Sequence, residues 1–259
     1  MKATLNTFPQ AIVSACGLVV LLALPVHADT FTLNPVADAF VTPGPSGNLS
    51  GNNYGGAGAL SVAAQGLSKG EFQSVLQFDL SGASTAFDAQ FGAGQWTLQS
   101  ISLTLTATSP NNSIFNATSA GQFSVSWMQN DSWIEGSGTP ASPTTTGITY
   151  STLPSFISVG DEALGTFSFN GATNGTAAYT LNLTPGFSAD AEAGNLVSLH
   201  LFAADSAVSY LFDSRNFGTA SARPVLSIVA VPEPGALSLV ATGGALVIGG
   251  SRRWPELKG

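Results

Sequence analysis

A chain of 259 residues with 44% hydrophobic side chains, a formal net charge of −8 and only 8% charged residues departs from an ordinary soluble domain, in which roughly 25% are charged. Seven Lys and Arg in the whole chain cannot build the basic stripe that nucleic-acid binding needs, and the acidic balance disfavours anionic partners. The length suits one domain of about 200 residues with ample apolar material for a core.

Residues 1–28 read as a secretory signal peptide. Lys2 supplies a sparse positive start, residues 11–24 an apolar stretch, and Val26-His27-Ala28 a small-residue cleavage site that leaves Asp29 as the mature N-terminus. Val13-Ser14-Ala15-Cys16 also fits a lipoprotein box in which Cys16 is acylated, but the longer apolar run, residues 18–24, follows that cysteine instead of preceding it. Cleavage after Ala28 discards the only cysteine. Disulfides, thiolate metal sites and cysteine nucleophiles then go together.

From Asp29 to Ala230 the regular pattern has period two. Strands are expected at 31–33, 38–41, 60–63 and 76–80, and then at 101–107, where Ile101, Leu103, Leu105 and Ala107 alternate with Ser102, Thr104 and Thr106. Further strands follow at 123–127, 165–169, 179–183, 197–201 and 225–231, while no window of a dozen residues shows a helical stripe outside the two ends. The Gly-, Ser-, Thr- and Pro-rich run 136–147 reads as a long loop. About ten short strands between turn residues indicate an all-β, antiparallel sandwich over residues 29–230, with jelly roll as the favoured topology. The same pattern accounts for solubility without charge, because the outward positions carry hydroxyls and amides. This domain has three basic and thirteen acidic residues, a net charge of −10.

At the C-terminus, Val231-Pro232-Glu233-Pro234 precedes an uncharged apolar run at 235–250 and then Arg252 and Arg253. As a helix that run spans about 24 Å, short of the roughly 30 Å hydrocarbon core, and the Arg pair favours a cytoplasmic end. The tripartite order over 231–259 resembles the PEP-CTERM sorting signal of Gram-negative bacteria. That resemblance implies transient inner-membrane anchoring, recognition by an exosortase and the secretion machinery, and delivery to the cell surface or to an extracellular polysaccharide (biofilm) matrix.

Within the domain, Ala37-Asp38-Ala39-Phe40-Val41, Asn52-Asn53-Tyr54-Gly55, Leu60-Ser61-Val62, Ser74 to Leu80 and Ile101 to Leu105 recur in the order seen in DNRLRE-type domains. Trp133 to Glu135, Ile148-Thr149-Tyr150, Phe212 to Arg215 and Arg223 to Leu226 resemble the later strands of that family. The resemblance implies a secreted sandwich similar to carbohydrate-binding modules. Gln77 departs from it, standing where a basic residue is expected.

Candidate chemistry is sparse. His200 is the one histidine of the mature chain, and neither a Gly-x-Ser-x-Gly elbow nor a P-loop occurs. Trp133, Tyr150 and Tyr54 are the candidate stacking platforms for sugars, whereas Trp127 and Trp96 read as core. Asp131 and Glu135 are a local acidic pair of the kind glycosidases use, and Asp161-Glu162 and Asp190/Glu192 are others. A structural Ca²⁺ is an expectation on Asp38, Asp79 and Asp213, the acids of the family-like segments; no other cofactor is expected. Three functions follow in order: a non-enzymatic surface or matrix protein with a structural or adhesive role, a neutral-polysaccharide-binding module, and a glycan-degrading enzyme.

Overall fold

The computed structural model describes residues 27–108, 115, 121–168 and 175–233. The signal-peptide core with Cys16, the apolar run 235–250, Pro234, Arg252 and Arg253 lie outside these residues. Among the described residues no helix is long and apolar enough to cross a membrane.

The domain is an all-β antiparallel sandwich. In chain order its strands are β1 (Asp29–Leu33), β2 (Ala37–Val41), β3 (Ala59–Ala63), β4 (Gln73–Asp79), β5 (Trp96–Ala107), β6 (Gln122–Met128), β7 (Glu162–Ser168), β8 (Gly175–Leu181), β9 (Leu196–Ala203), β10 (Ser209–Asp213) and β11 (Val225–Pro232). The first sheet runs β1-β11-β5-β10-β3 with β8 paired to β5, and the second runs β2-β4-β9-β6-β7. The chain changes sheet at almost every connection, the wrapping of a jelly roll.

Period-two alternation sends Ile101, Leu103 and Leu105 of β5 and Leu226 and Ile228 of β11 inward against Leu76, Phe78, Phe123, Val125, Leu199 and Leu201 of the second sheet. Fully burying each such side chain is worth roughly 1.5–3 kcal/mol. The second sheet also buries part of its other face. Ala39, Val41, Val75 and Met128 are covered by Trp133, Ile148 and Leu153 from the irregular segment after β6, so β2 and most of β4 are buried on both sides.

Two helices correct the expectation of none. α1 (Ser81–Phe91) lies between β4 and β5, and α2 (Pro185–Ala193) between β8 and β9; each buries a single i, i+4 pair, Ala83/Phe87 and Phe187/Ala191. A pair of anchors is too little to form a stripe. β5 begins five residues before the expected strand, and β10 shows no alternation because all five of its residues are buried. Residues 133–135 and 148–150, expected as strands, are irregular backbone.

The two ends of the sandwich differ. At one end Asp29 pairs with Ala230 and Pro232 with Trp96; α1 packs there against β1, β11 and β5. At the other, Val41 pairs with Gln73 and Ala63 with Phe72.

The run 136–147 is held in a specific way. The Asn53 side chain is fully buried; its Nδ2 donates to the carbonyls of Glu135 (2.6 Å) and Ile148 (2.8 Å), and its Oδ1 accepts from the N–H groups of Gly55 (3.2 Å) and Gly138 (3.1 Å). A Cβ at Gly136, Gly138 or Gly147 would fall on Asn53 itself, and one at Gly55 on the Glu135 carbonyl. The glycines are there because an amide needs close backbone around it. Asn53→Ala strands buried backbone groups at four points, each costing about 1–3 kcal/mol if left unpaired; the expected loss is on the order of 3–5 kcal/mol in urea denaturation, against under about 1 kcal/mol for an exposed control such as Ser155→Ala.

Candidate functional site

The three candidate platforms have different fates. Trp133 is 4% exposed, lies among Val41 and Val75, and donates through Nε1 to Ser198 Oγ at 2.9 Å; it is core and cannot stack on a ligand. Tyr54 is 5% exposed, with its ring stacked on Phe40 at 4.7 Å and its hydroxyl accepting from Asn52 Nδ2 at 3.1 Å. Its face is therefore taken, and it forms only part of the wall of an apolar groove of about 430 Å³ with Phe40, Phe72, Phe115 and Leu211. Of the three, Tyr150 borders a polar cleft, also about 430 Å³, with Glu71, Gln65, Pro43, Gly44 and Gly70.

The Tyr150 ring is carried by the segment that Asn53 fixes, and its polar edge meets a chain of hydrogen bonds. Tyr150 donates to Glu71 Oε2 at 2.8 Å, Gln73 Nε2 donates to Glu71 Oε1 at 2.6 Å, and His200 Nε2 lies 2.6 Å from Gln73 Oε1. Because Gln73 Oε1 can only accept, His200 carries its proton on Nε2. Burial, with the Asp161 charge opposing it, lowers the His200 pKa to about 4, so the imidazole is neutral near pH 7. Burial, then Glu71 as acceptor and as charge, pushes the Tyr150 phenol up to about 12. Each Glu71 oxygen thus accepts from one of the two neighbouring side chains, and Glu71 lines the cleft. Glu71, Gln73 and Gln65 carried no sequence signal, since polar residues at a strand end are ordinary.

The members of the acidic pairs have different partners. Asp131 faces Ser198, with Asp190 as its nearby charge, and burial raises its pKa. Glu135 instead accepts from Arg215 Nη1 at 2.6 Å, Asn216 Nδ2 at 3.0 Å and the Asp38 N–H at 3.2 Å. Different partners therefore hold the two carboxylates expected to flank a scissile bond. Glu162 caps α2 by accepting from Gly186 and Phe187, Asp161 accepts from Gln129 and Ser158, and Asp190 accepts from Asn195. Gln77 is explained by its surroundings, donating to the Asp131 carbonyl at 2.7 Å and to Ser198 Oγ at 3.3 Å.

The three acids expected to bind Ca²⁺ are likewise dispersed. Asp38 is buried in β2 and accepts from the Arg215 N–H at 2.6 Å. Asp79 accepts from the Ser81 N–H at the start of α1, and Asp213 is buried in β10, its Oδ1 without a hydrogen-bond partner among the described residues. Among the described residues no three acidic, imidazole or thiol groups converge on a point that could hold a metal. The positive charge beside Glu135 is Arg215.

The Val231-Pro232-Glu233 segment begins inside the fold. Val231 and Pro232 are the last residues of β11, and the Glu233 N–H donates to the Gln95 carbonyl at 2.9 Å. The ordered domain thus runs past residue 230. At its start, Ala28 is exposed and Asp29 opens β1.

Two buried groups titrate in opposite senses. The folded state lowers the His200 pKa from 6.5 to about 4, so that contribution is complete above pH 6.5 and is lost as pH falls through 4. Burial, aided by the Glu135 charge and opposed by the Arg215 N–H, raises Asp38 from 3.8 to about 7, and that contribution is lost as pH rises from 4 to 7. Relative to wild type, His200→Gln is expected to gain stability as pH falls from 6.5 to 4, by up to about 3 kcal/mol, and Asp38→Asn as pH rises from 4 to 7, by up to about 4 kcal/mol. Urea melts across that range give both difference curves.

No protein-family profile and no curated protein matches the chain. Among solved structures it is similar to a chain of desmodium yellow mottle tymovirus, with 10% identity over 88% of this chain and 97% of that one and a TM-score of 0.25, a likeness too slight to carry an argument.

Proposed function

We propose that the protein is an exported, non-catalytic β-sandwich of the cell surface or extracellular matrix that binds neutral glycan weakly at the Tyr150 cleft. The carrying observation is the Tyr150–Glu71–Gln73–His200 chain, which holds an aromatic ring and a carboxylate in fixed register on a polar depression. A ring offers its face to the apolar face of a sugar, and the carboxylate and the Gln65 amide offer partners to hydroxyls. A domain with three basic and thirteen acidic residues repels acidic polysaccharide, which leaves uncharged chains as the ligand class. Export and sorting rest on the signal-like first 28 residues and on the order of motif, apolar run and Arg pair at the C-terminus. Transient inner-membrane anchoring and exosortase handling follow from that order.

Glycan-array and calorimetric binding with the full chain test the ligand. Tyr150→Ala is expected to weaken binding about tenfold, the worth of one aromatic contact, and Glu71→Gln to weaken it as well. Binding that Trp133→Phe reduces more than Tyr150→Ala does, or no binding to any neutral glycan, would overturn the assignment. For sorting, a Pro232/Glu233/Pro234 triple-alanine variant is expected to retain the C-terminal mass that wild type loses in cells; equal masses would remove that part.

A further inference from the structure

The last strand and the Pro-Glu-Pro segment share residues, with nothing between them that could serve as a spacer. Val231 pairs with Thr97 and Pro232 with Trp96. Pro232 has no N–H to give to the ladder, so the end is fastened one residue later by the Glu233 N–H on the Gln95 carbonyl. β1 stops at Asp29 opposite Ala230. Among the described residues, the backbone pairing of residues 231–233 is therefore on the β5 side.

That side is itself braced by α1. Trp96 is buried, donates through Nε1 to Asp88 Oδ1 at 2.8 Å, and packs on Phe87 at 5.1 Å between ring centroids. Asp88 also accepts from the Gly94 N–H, and its carbonyl from the Gly92 N–H, which shapes the turn leading to Gln95. Helix, turn and tryptophan form one unit under the end of β11.

We infer that this unit is a clamp, and that scission within residues 231–233 is gated by its local opening. A protease binds its target as an extended strand and needs the backbone groups that this segment has already committed to Gln95–Thr97; cleavage then follows the population of the frayed state. The biological weight of the clamp rests on the reading that the C-terminal segment is a processing signal, but its existence does not.

The test uses the full chain and a proline-specific endoprotease that accepts intact proteins, with cut sites quantified by mass spectrometry. The Pro140–Ala141 bond, in an exposed loop, is the internal reference. In wild type the Pro232–Glu233 bond is expected to be cut at least about tenfold more slowly than the reference, and Asp88→Ala to accelerate it about tenfold, the worth of a hydrogen bond to a charged acceptor, with the reference rate unchanged. Asp88→Asn, which keeps an acceptor for Trp96, is expected to restore most of the protection. Equal rates in wild type, no effect of Asp88→Ala, or acceleration of both bonds alike would each overturn the clamp. Retention of the C-terminal mass in cells would overturn the sorting reading instead, so the two fail separately.

Discussion

One buried carboxamide determines how the long irregular segment between β6 and β7 is arranged. Asn53 has no solvent to satisfy it, and burying a polar group without partners is costly, so the segments around Glu135, Gly138 and Ile148 must come to it. Glycines at 136, 138 and 147 permit that approach. Once the segment is seated, Trp133 and Ile148 cover the outer face of β2 and β4, and Tyr150 arrives beside Glu71. Core closure and cleft formation are consequences of the same four hydrogen bonds.

The outer surface meets water in a different way. Where neighbouring strands of an ordinary domain present opposite charges, here Thr106 faces Thr176 at 3.1 Å between hydroxyl oxygens and Ser124 faces Thr166 at 2.9 Å. Such pairs are sheet-stabilising neighbours and do not depend on salt or pH. The few ionisable groups are in consequence available for internal work, and two of them, His200 and Asp38, bend stability in opposite directions over one pH range.

What could be read from the residues was the part governed by period two. The alternation of Ile101, Leu103 and Leu105 with Ser102 and Thr104 defines β5 and its core face without any structure. β10 is buried on both faces from Ser209 to Asp213 and so shows no alternation, only the family-like residues from Phe212 onward pointing to it, and α1 is hidden because two anchors, Ala83 and Phe87, hold it to the sheet. Of the three candidate platforms, one borders the polar cleft. Tyr150, Tyr54 and Trp133 are equivalent as symbols in a string, and only the packing of Phe40 on Tyr54 and of Val41 and Val75 on Trp133 separates them. Asp131 and Glu135, four residues apart, look paired until Arg215, 80 residues further on, claims the second.

The placement of the chain ends has a mechanical consequence. The chain leaves the sandwich along β11 at one end, and the Tyr150 cleft lies at the other. Tension applied at Glu233 and resisted at the opposite end acts along the strand axis. It loads the eight residue pairs of β11 with β5 and the five of β1 with β11 in shear, all together, and does not peel them one after another. A sheet loaded in that direction resists rupture far better than one unzipped from its edge, and the domain can carry force without any disulfide to reinforce it.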